Sequence, residues 1–300
     1  QFHAHVNLWC RPMHSCIGYA KEACRSGLAS GDFLYAAYGA STESWPALVS
    51  CQDLGECVRS LEPNLALVVQ LRNTAFADVL RMVMAWARAL QGRTAAPLAL
   101  SHTEGEGFDE AAYAQTYRDN PFFSMFHAIA RLHIGYLQGD APQALAAVMA
   151  VRRSAHQLTG MIWSVLFDVW GSLTLAACIE HAADAQQRDD WLAQMRESLA
   201  SLAVLAQSCA VNFRCHWLLL GAELERIGGR NDAALDRYEQ AIAQADDAAD
   251  VQQQALANEL FATFWLARGN RGIAVLYLRA ALAHYRAWGA QAKVRQMLER

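Results

Sequence analysis

Lysine is almost missing from this 300-residue chain: Lys21 and Lys293 are the only two, and arginine supplies the other side-chain cations. The formal charge is −4, and no basic stripe with interleaved aromatics occurs, so no nucleic-acid partner is expected. Proline is scarce at six residues, and runs of Val, Ile and Thr are few, which argues against a sheet-rich fold. No two cysteines have C-x-x-C spacing. Cys10 and Cys16, Cys51 and Cys57, and Cys209 and Cys215 share a six-residue offset, while Cys24 and Cys178 stand apart, so no zinc signature forms. Eight cysteines scattered thinly over a long chain read as buried, reduced thiols of a cytoplasmic protein. The start lacks a basic n-region and a signal-type apolar stretch. It opens on Gln1-Phe2-His3 without a helix cap, which reads as a piece of a longer protein.

Apolar residues make up 54% of the chain against 18% charged, which excludes a disordered chain and leaves ample material for a core. Ala and Leu dominate that material, so the expected fold class is all-α. Glycine beside a polar residue punctuates the sequence at Gly31-Asp32, Gly92-Arg93, Gly139-Asp140, Gly229-Arg230 and Gly269-Asn270. Glycine takes the left-handed conformation that ends a helix, and Asp, Asn or Pro beyond it favours a new start. Each site reads as a helix–turn–helix corner. Overlaying the corners aligns Ala36, Ala144, Ala234 and Ala274 five residues after the glycine, as close packing of two antiparallel helices requires. Gly229 and Gly269 lie 40 residues apart, somewhat longer than the about 34 residues of a TPR unit.

The architecture expected is a set of TPR-like helical hairpins stacked as an α-solenoid. Residues 1–100 would form degenerate hairpins and residues 108–300 TPR-like repeats, best defined over 212–300, with the loop at 101–107 between them. Period-3.6 stripes predict helices at 230–245, 252–268, 271–288 and from 290 onward, and coarser ones at 65–90, 122–138, 142–157, 161–181, 189–208 and 212–227. Residues 161–179 are nearly all apolar, with Asp168 the only charge. A membrane span needs about 20 such residues, and a mid-span Asp costs about 2.5–3.5 kcal/mol. Gly171, Ser172, Ala176 and Ala177 suit close packing within a protein, so no membrane insertion is expected.

The C-terminal strings are distinctive: Tyr238-Glu-Gln-Ala-Ile-Ala-Gln-Ala245, Ala257-Asn258-Glu259-Leu260, Phe264-Trp-Leu-Ala-Arg-Gly269 and Tyr285-Arg-Ala-Trp288-Gly289-Ala-Gln-Ala-Lys293-Val294. Together they resemble the TPR-like helical region of large bacterial and fungal signalling proteins. In that family a Ser/Thr-kinase-like module and a STAND-type ATPase come before the helical region. A GAF domain and a sensor histidine kinase follow it. The resemblance covers roughly residues 230–296. Upstream it extends only to the hairpin layout and Gly31-Asp32-Phe33…Tyr38-Gly39. It marks Asn258, Glu259, Leu260, Tyr285, Trp288, Gly289 and Lys293 as signature positions of structural kind. The chain has no Walker A string, kinase Gly-rich loop, phosphoacceptor or ATP-lid pattern. The resemblance therefore implies histidine-kinase activity in two-component signalling for a parent protein. For this chain it implies no catalytic, cofactor or metal residues.

One enzyme-like motif needs weighing. Asp246-Asp247-Ala248-Ala249-Asp250 matches the D-D-x-x-D pattern with which terpenoid synthases hold magnesium and a diphosphate. A second motif nearly matches at Asn231-Asp232…Glu239, but Leu235 replaces the hydroxyl ligand and the order of the two is reversed. Acidic residues between two amphipathic helices also simply start a helix. The ten histidines (3, 5, 14, 102, 127, 133, 156, 181, 216 and 284) contain no H-E-x-x-H and read as surface or satisfied core groups. Asp168 is expected to bond a neighbouring helix or face a groove, with a perturbed acid as the alternative. Most of the nine tryptophans should be core, with a minority lining a concave face. Arg152-Arg153 reads as a solvated helix edge.

The leading expectation is a regulatory and interaction module whose partners are other domains of the parent or other proteins. The alternative is a repeat domain that senses a small effector. A deep apolar pocket with two or three convergent polar groups would favour the second.

Overall fold

The computed structural model describes residues 2–105, 107–152 and 160–299. Among them no strand forms, and the one isolated bridge joins His102 to Phe108. The chain is all-α. Helix α1 (Phe2–His5) and a 3₁₀ turn (Asn7–Trp9) precede α2 (Ser15–Ser30), α3 (Phe33–Thr42), α4 (Ser44–Ser50), α5 (Leu54–Gln70) and α6 (Thr74–Gln91). After an irregular stretch come α7 (Glu110–Thr116), α8 (Pro121–Gln138), α9 (Ala141–Arg152) and α10 (Ile162–Cys178). The remainder is α11 (Ala185–Ser208), α12 (Ala210–Ile227), α13 (Asn231–Asp247), α14 (Val251–Ala267), α15 (Arg271–Trp288) and α16 (Gln291–Leu298). Sequence-adjacent helices pack lengthwise as pairs: α2 with α3, α5 with α6, α8 with α9, α12 with α13, and α14 with α15.

The corners follow the expected chemistry. Gly31, Gly92, Gly139 and Gly289 end α2, α6, α8 and α15 in the left-handed region. Asp32, Asp53, Asn73, Asn120, Asp250 and Asn270 then cap the helices that follow, each accepting a backbone N–H with its side-chain oxygen. The four aligned alanines, Ala36, Ala144, Ala234 and Ala274, are each at most 1% exposed. At the α2–α3 corner the helices touch through glycine: a Cβ on Gly27 would stand 2.6 Å from the backbone N of Ala36. Gly27→Ala is therefore expected to destabilise by about 1–3 kcal/mol through overpacking. In an exposed helix the same change would stabilise by about 1 kcal/mol. A fall in the urea midpoint checks this, and an unchanged or raised midpoint would refute the close contact.

The helix boundaries depart most from the sequence reading at α5–α6 and α11. Residues 65–90 are not one helix: α5 ends at Gln70 and α6 starts at Thr74. Arg72 makes the corner at φ 56°, so no glycine marks it, and Asn73 starts the next helix. α11 begins at Ala185 rather than 189, because Asp184 caps a first turn with no apolar residue beyond Ala185. The helix expected at 142–157 is seen from Ala141 to Arg152; residues 153–159 lie outside the described ones.

α10, with the turn that follows it, is the one described helix long and apolar enough to cross a membrane, and 78% of its most apolar window is buried within the fold. Its Asp168 receives a hydrogen bond from Ser198 of α11 at 3.1 Å, the interhelical bond expected of it.

In an open solenoid each hairpin touches only its neighbours. Here the chain returns on itself. α16 packs against α6 and α8. The N-terminal segment is tied to α12 by Asn212, whose side chain accepts from Met13 N (2.9 Å) and donates to the carbonyls of Leu8 and Arg11 (2.8 Å each). Gln252 of α14 donates to the carbonyls of Leu48 and Cys51, and Gln52 to that of Ala249. One continuous buried cluster runs from Leu8 to Val294, on both sides of the loop at 101–107.

Candidate functional site

The resemblance residues form two parts of this closure. Lys293 is 3% exposed; its Nζ lies 2.5 Å from Glu259 Oε1 and donates to the Leu137 carbonyl at 2.8 Å. That carbonyl is in the last turn of α8, where the helix supplies no N–H partner, so a cation there also complements the helix dipole. Glu259 Oε2 accepts from Tyr285 OH at 2.7 Å. One step away, Trp288 Nε1 donates to Cys51 Sγ at 3.4 Å, and Gly289, at φ 83°, sits against Asp53 and Leu54 at the start of α5. Asn258 and Leu260 are not part of this clasp: the Asn258 amide donates back to Gln254 O of its own helix, and Leu260 is partly buried against the core. A second buried carboxylate, Glu223, holds Tyr238 OH and Arg226 between α12 and α13.

Where these elements meet they leave a half-open pocket of about 130 Å³. Its walls come from α4, α6, α8, α10, α12, α14 and α15. The centre of the lining is aromatic. His133 stacks on Trp170 at 4.0 Å and 19°, runs within 22° of the Trp288 plane at 6.3 Å, and meets Trp86 nearly perpendicularly at 5.6 Å. Val165, Leu166, Val169 and Leu256 add aliphatic surface. Four lining residues carry a buried side-chain polar atom without a hydrogen-bond partner: Trp86 Nε1, His133 Nε2, His216 Nδ1 and Gln253 Oε1. Burial depresses both imidazoles, His133 to about 3 with His216 adding to the effect, and His216 to about 4. Both rings are neutral near pH 7, each with one donor and one acceptor nitrogen.

Of the ten histidines, His5 meets Tyr38 OH at 3.0 Å and His127 meets Glu110 at 2.7 Å, as satisfied groups should. His102, His133 and His216 depart from the expectation: the first two are buried and the third half-buried, each with a buried ring nitrogen unpaired. The signal for two of them was present: His133 continues the Phe126, Ile129, Ala130 stripe of α8, and His216 continues Cys209 and Phe213. His156 and Arg153 lie outside the described residues, and Arg152 is exposed.

The Asp246–Asp250 motif is divided between two helices. Asp246 and Asp247 are exposed at the end of α13, whereas Asp250 caps α14, accepting from the backbone N–H groups of Gln252 and Gln253 and from the Gln253 amide, each at 3.0 Å. Among the described residues no cluster of three or more His, Cys, Asp or Glu has metal-binding geometry.

Asp168 carries the clearest carboxylate perturbation near the cavity wall. Burial raises it to about 6, with the Ser198 bond opposing and Glu197 adding to the shift. A raised folded pKa for an acid means that ionisation costs stability as pH rises from about 4 through 6. Asp168→Asn is expected to stabilise by about 1–2 kcal/mol at pH 7, after discounting for partial exposure, and to match the parent chain near pH 4. Thermal melts at the two pH values check the sign.

No protein-family model matches the chain, and no curated protein sequence matches it.

Proposed function

We propose that this chain is a non-catalytic, cytoplasmic regulatory module, a closed superhelix of TPR-like hairpins that senses a small effector in its central cavity. The observation that carries the reading is the pocket: a half-open, mainly apolar space built from helices far apart in sequence. An occupant touches Met13 and His14 on one side and Trp288 on the other, so it favours the arrangement in which the two ends of the fold meet. Binding one arrangement better than another is all that a sensor needs to shift its neighbours.

The signature strings supply the context. They support placement within a multidomain signalling protein, between a STAND-type ATPase and a GAF–histidine kinase pair, whose domains or protein partners read the state of the hairpins. The native reading frame beyond Gln1 and Arg300 tests that context: an ATPase upstream and a GAF–kinase pair downstream are expected, and a stop codon soon after Arg300 would remove it. Sensing is tested separately by Leu166→Trp, which fills the cavity. In the parent, kinase output is expected to become insensitive to effector, while output identical to the unmodified protein would count against sensing.

A further inference from the structure

We infer that Cys51 and Cys57 form a peroxide-reactive thiol pair, in which Cys51 is the sulfur that meets the oxidant and Cys57 the thiol that closes a disulfide with it. The two lie six residues apart, on either side of the start of α5. Cys51 is extended at ψ 141° just before the cap Asp53. The chain then turns so that the Asp53 carbonyl accepts from Cys57 N at 3.0 Å. Side chains before a helix cap pack in this way on the first turn beyond it. The Cys57 side chain hydrogen-bonds that of Cys51, and Cys51 packs against the buried cluster that contains Cys57.

The surroundings assign the roles. Cys51 is half-buried whereas Cys57 is 4% exposed, so a small oxidant meets Cys51 first. Three helices converge on Cys51 Sγ. It donates to the Leu48 carbonyl of α4 at 3.3 Å, and it accepts from Trp288 Nε1 of α15 at 3.4 Å and Gln252 Nε2 of α14 at 3.6 Å. An oxygen added to this sulfur therefore has two N–H donors beside it. The hydrogen bond with Cys51 and burial push the Cys57 thiol up, so Cys57 stays protonated until the sulfur next to it is oxidised. A half-exposed cysteine beside a resolving thiol is the arrangement in which sulfenic acid passes on to a disulfide.

Cys51 sulfur attacks one oxygen of hydrogen peroxide. An S–O bond forms, the O–O bond breaks, and the departing hydroxide takes the Cys51 proton to leave as water. The sulfur is oxidised and the peroxide reduced. Cys57 sulfur then attacks Cys51 sulfur: an S–S bond forms, the S–O bond breaks, and the hydroxyl takes the Cys57 proton to leave as a second water.

The test treats the reduced 300-residue chain with equimolar hydrogen peroxide, then with iodoacetamide and trypsin. The tryptic peptide spanning residues 26–59 carries Cys51 and Cys57 as its two cysteines. Without peroxide both are alkylated. After peroxide the peptide is expected to lose both labels and to be two hydrogens lighter, and dithiothreitol should restore both labels. In Cys57→Ser, dimedone should trap a sulfenic acid on Cys51. In Cys51→Ser, Cys57 should remain alkylatable after the same exposure. If either variant fails to fold by circular dichroism, the mapping on the unmodified chain decides. Both labels retained on this peptide while other cysteines oxidise would overturn the pair, as would a disulfide joining either cysteine to one elsewhere in the chain. Dimedone on Cys57 in Cys51→Ser would overturn the assignment of roles.

Discussion

Replacing Lys293 with Met is expected to destabilise the fold by about 3–5 kcal/mol, the cost of breaking a buried ion pair from one side. The loss has three parts. Glu259 keeps its charge with its counter-ion gone, the Leu137 carbonyl loses its donor, and the cation over the Tyr285 ring at 5.8 Å disappears. Removing the stranded charge should recover part of the loss: Lys293→Met with Glu259→Gln is expected to be about 2 kcal/mol more stable than Lys293→Met alone, because a neutral amide still accepts from Tyr285 OH. Urea denaturation of the two single variants and the double measures the coupling. Additive losses would mean that the pair contributes no more than its separate side chains. The damage should also have a place. Hydrogen exchange is expected to rise first in α16 and at its contacts with α6 and α8, before the α12–α13 hairpin opens.

That clasp also shows what could and could not be read from the sequence. Helices were most legible in the C-terminal third, where an apolar stripe of period 3.6 met a glycine corner; α15 was expected at 271–288 and is found there. The reading failed where the same backbone geometry was reached by other means, as at Arg72, or where a cap preceded a polar first turn, as at Asp184. The signature residues were legible as a set, but their chemistry was not. Glu259, Tyr285 and Lys293 converge, yet the carbonyl they serve is Leu137, 156 positions from Lys293. No local period records such a contact. The cavity was hidden for the same reason: each wall is an ordinary stripe on its own helix, and only closure turns seven stripes towards one space. His133 and His216 sat on core-facing positions of those stripes, but a core histidine reads the same from sequence whether its ring is partnered or not.

Those two histidines should make the fold sensitive to mild acid. Their folded pKa values, about 3 and about 4, lie below the unfolded value of about 6.5, so their contribution is complete above pH 6.5 and is lost as pH falls towards the folded values. At pH 5 each unfolded imidazole has gained about 2 kcal/mol by protonation while the folded ring has gained almost nothing, a joint loss of about 4 kcal/mol. Asp168 works in the opposite direction: raised to about 6, it favours the folded state by about 1 kcal/mol over the same interval. Burial also raises Glu43 and Asp250, and these push the same way as Asp168. The net loss between pH 8 and pH 5 is therefore expected at about 2–3 kcal/mol, a large share of the about 5–15 kcal/mol that holds a typical domain. Urea denaturation at pH 8, 6.5 and 5 measures it. His133→Gln isolates the cause, since an amide of similar reach does not titrate: its stability should decline less steeply than the parent's by about 2 kcal/mol at pH 5. Parallel curves for parent and variant would show that His133 is not held neutral by the fold. The sign also bears on sensing, because a protonated His133 would place a positive charge among Trp86, Trp170 and Trp288, in the wall of the pocket.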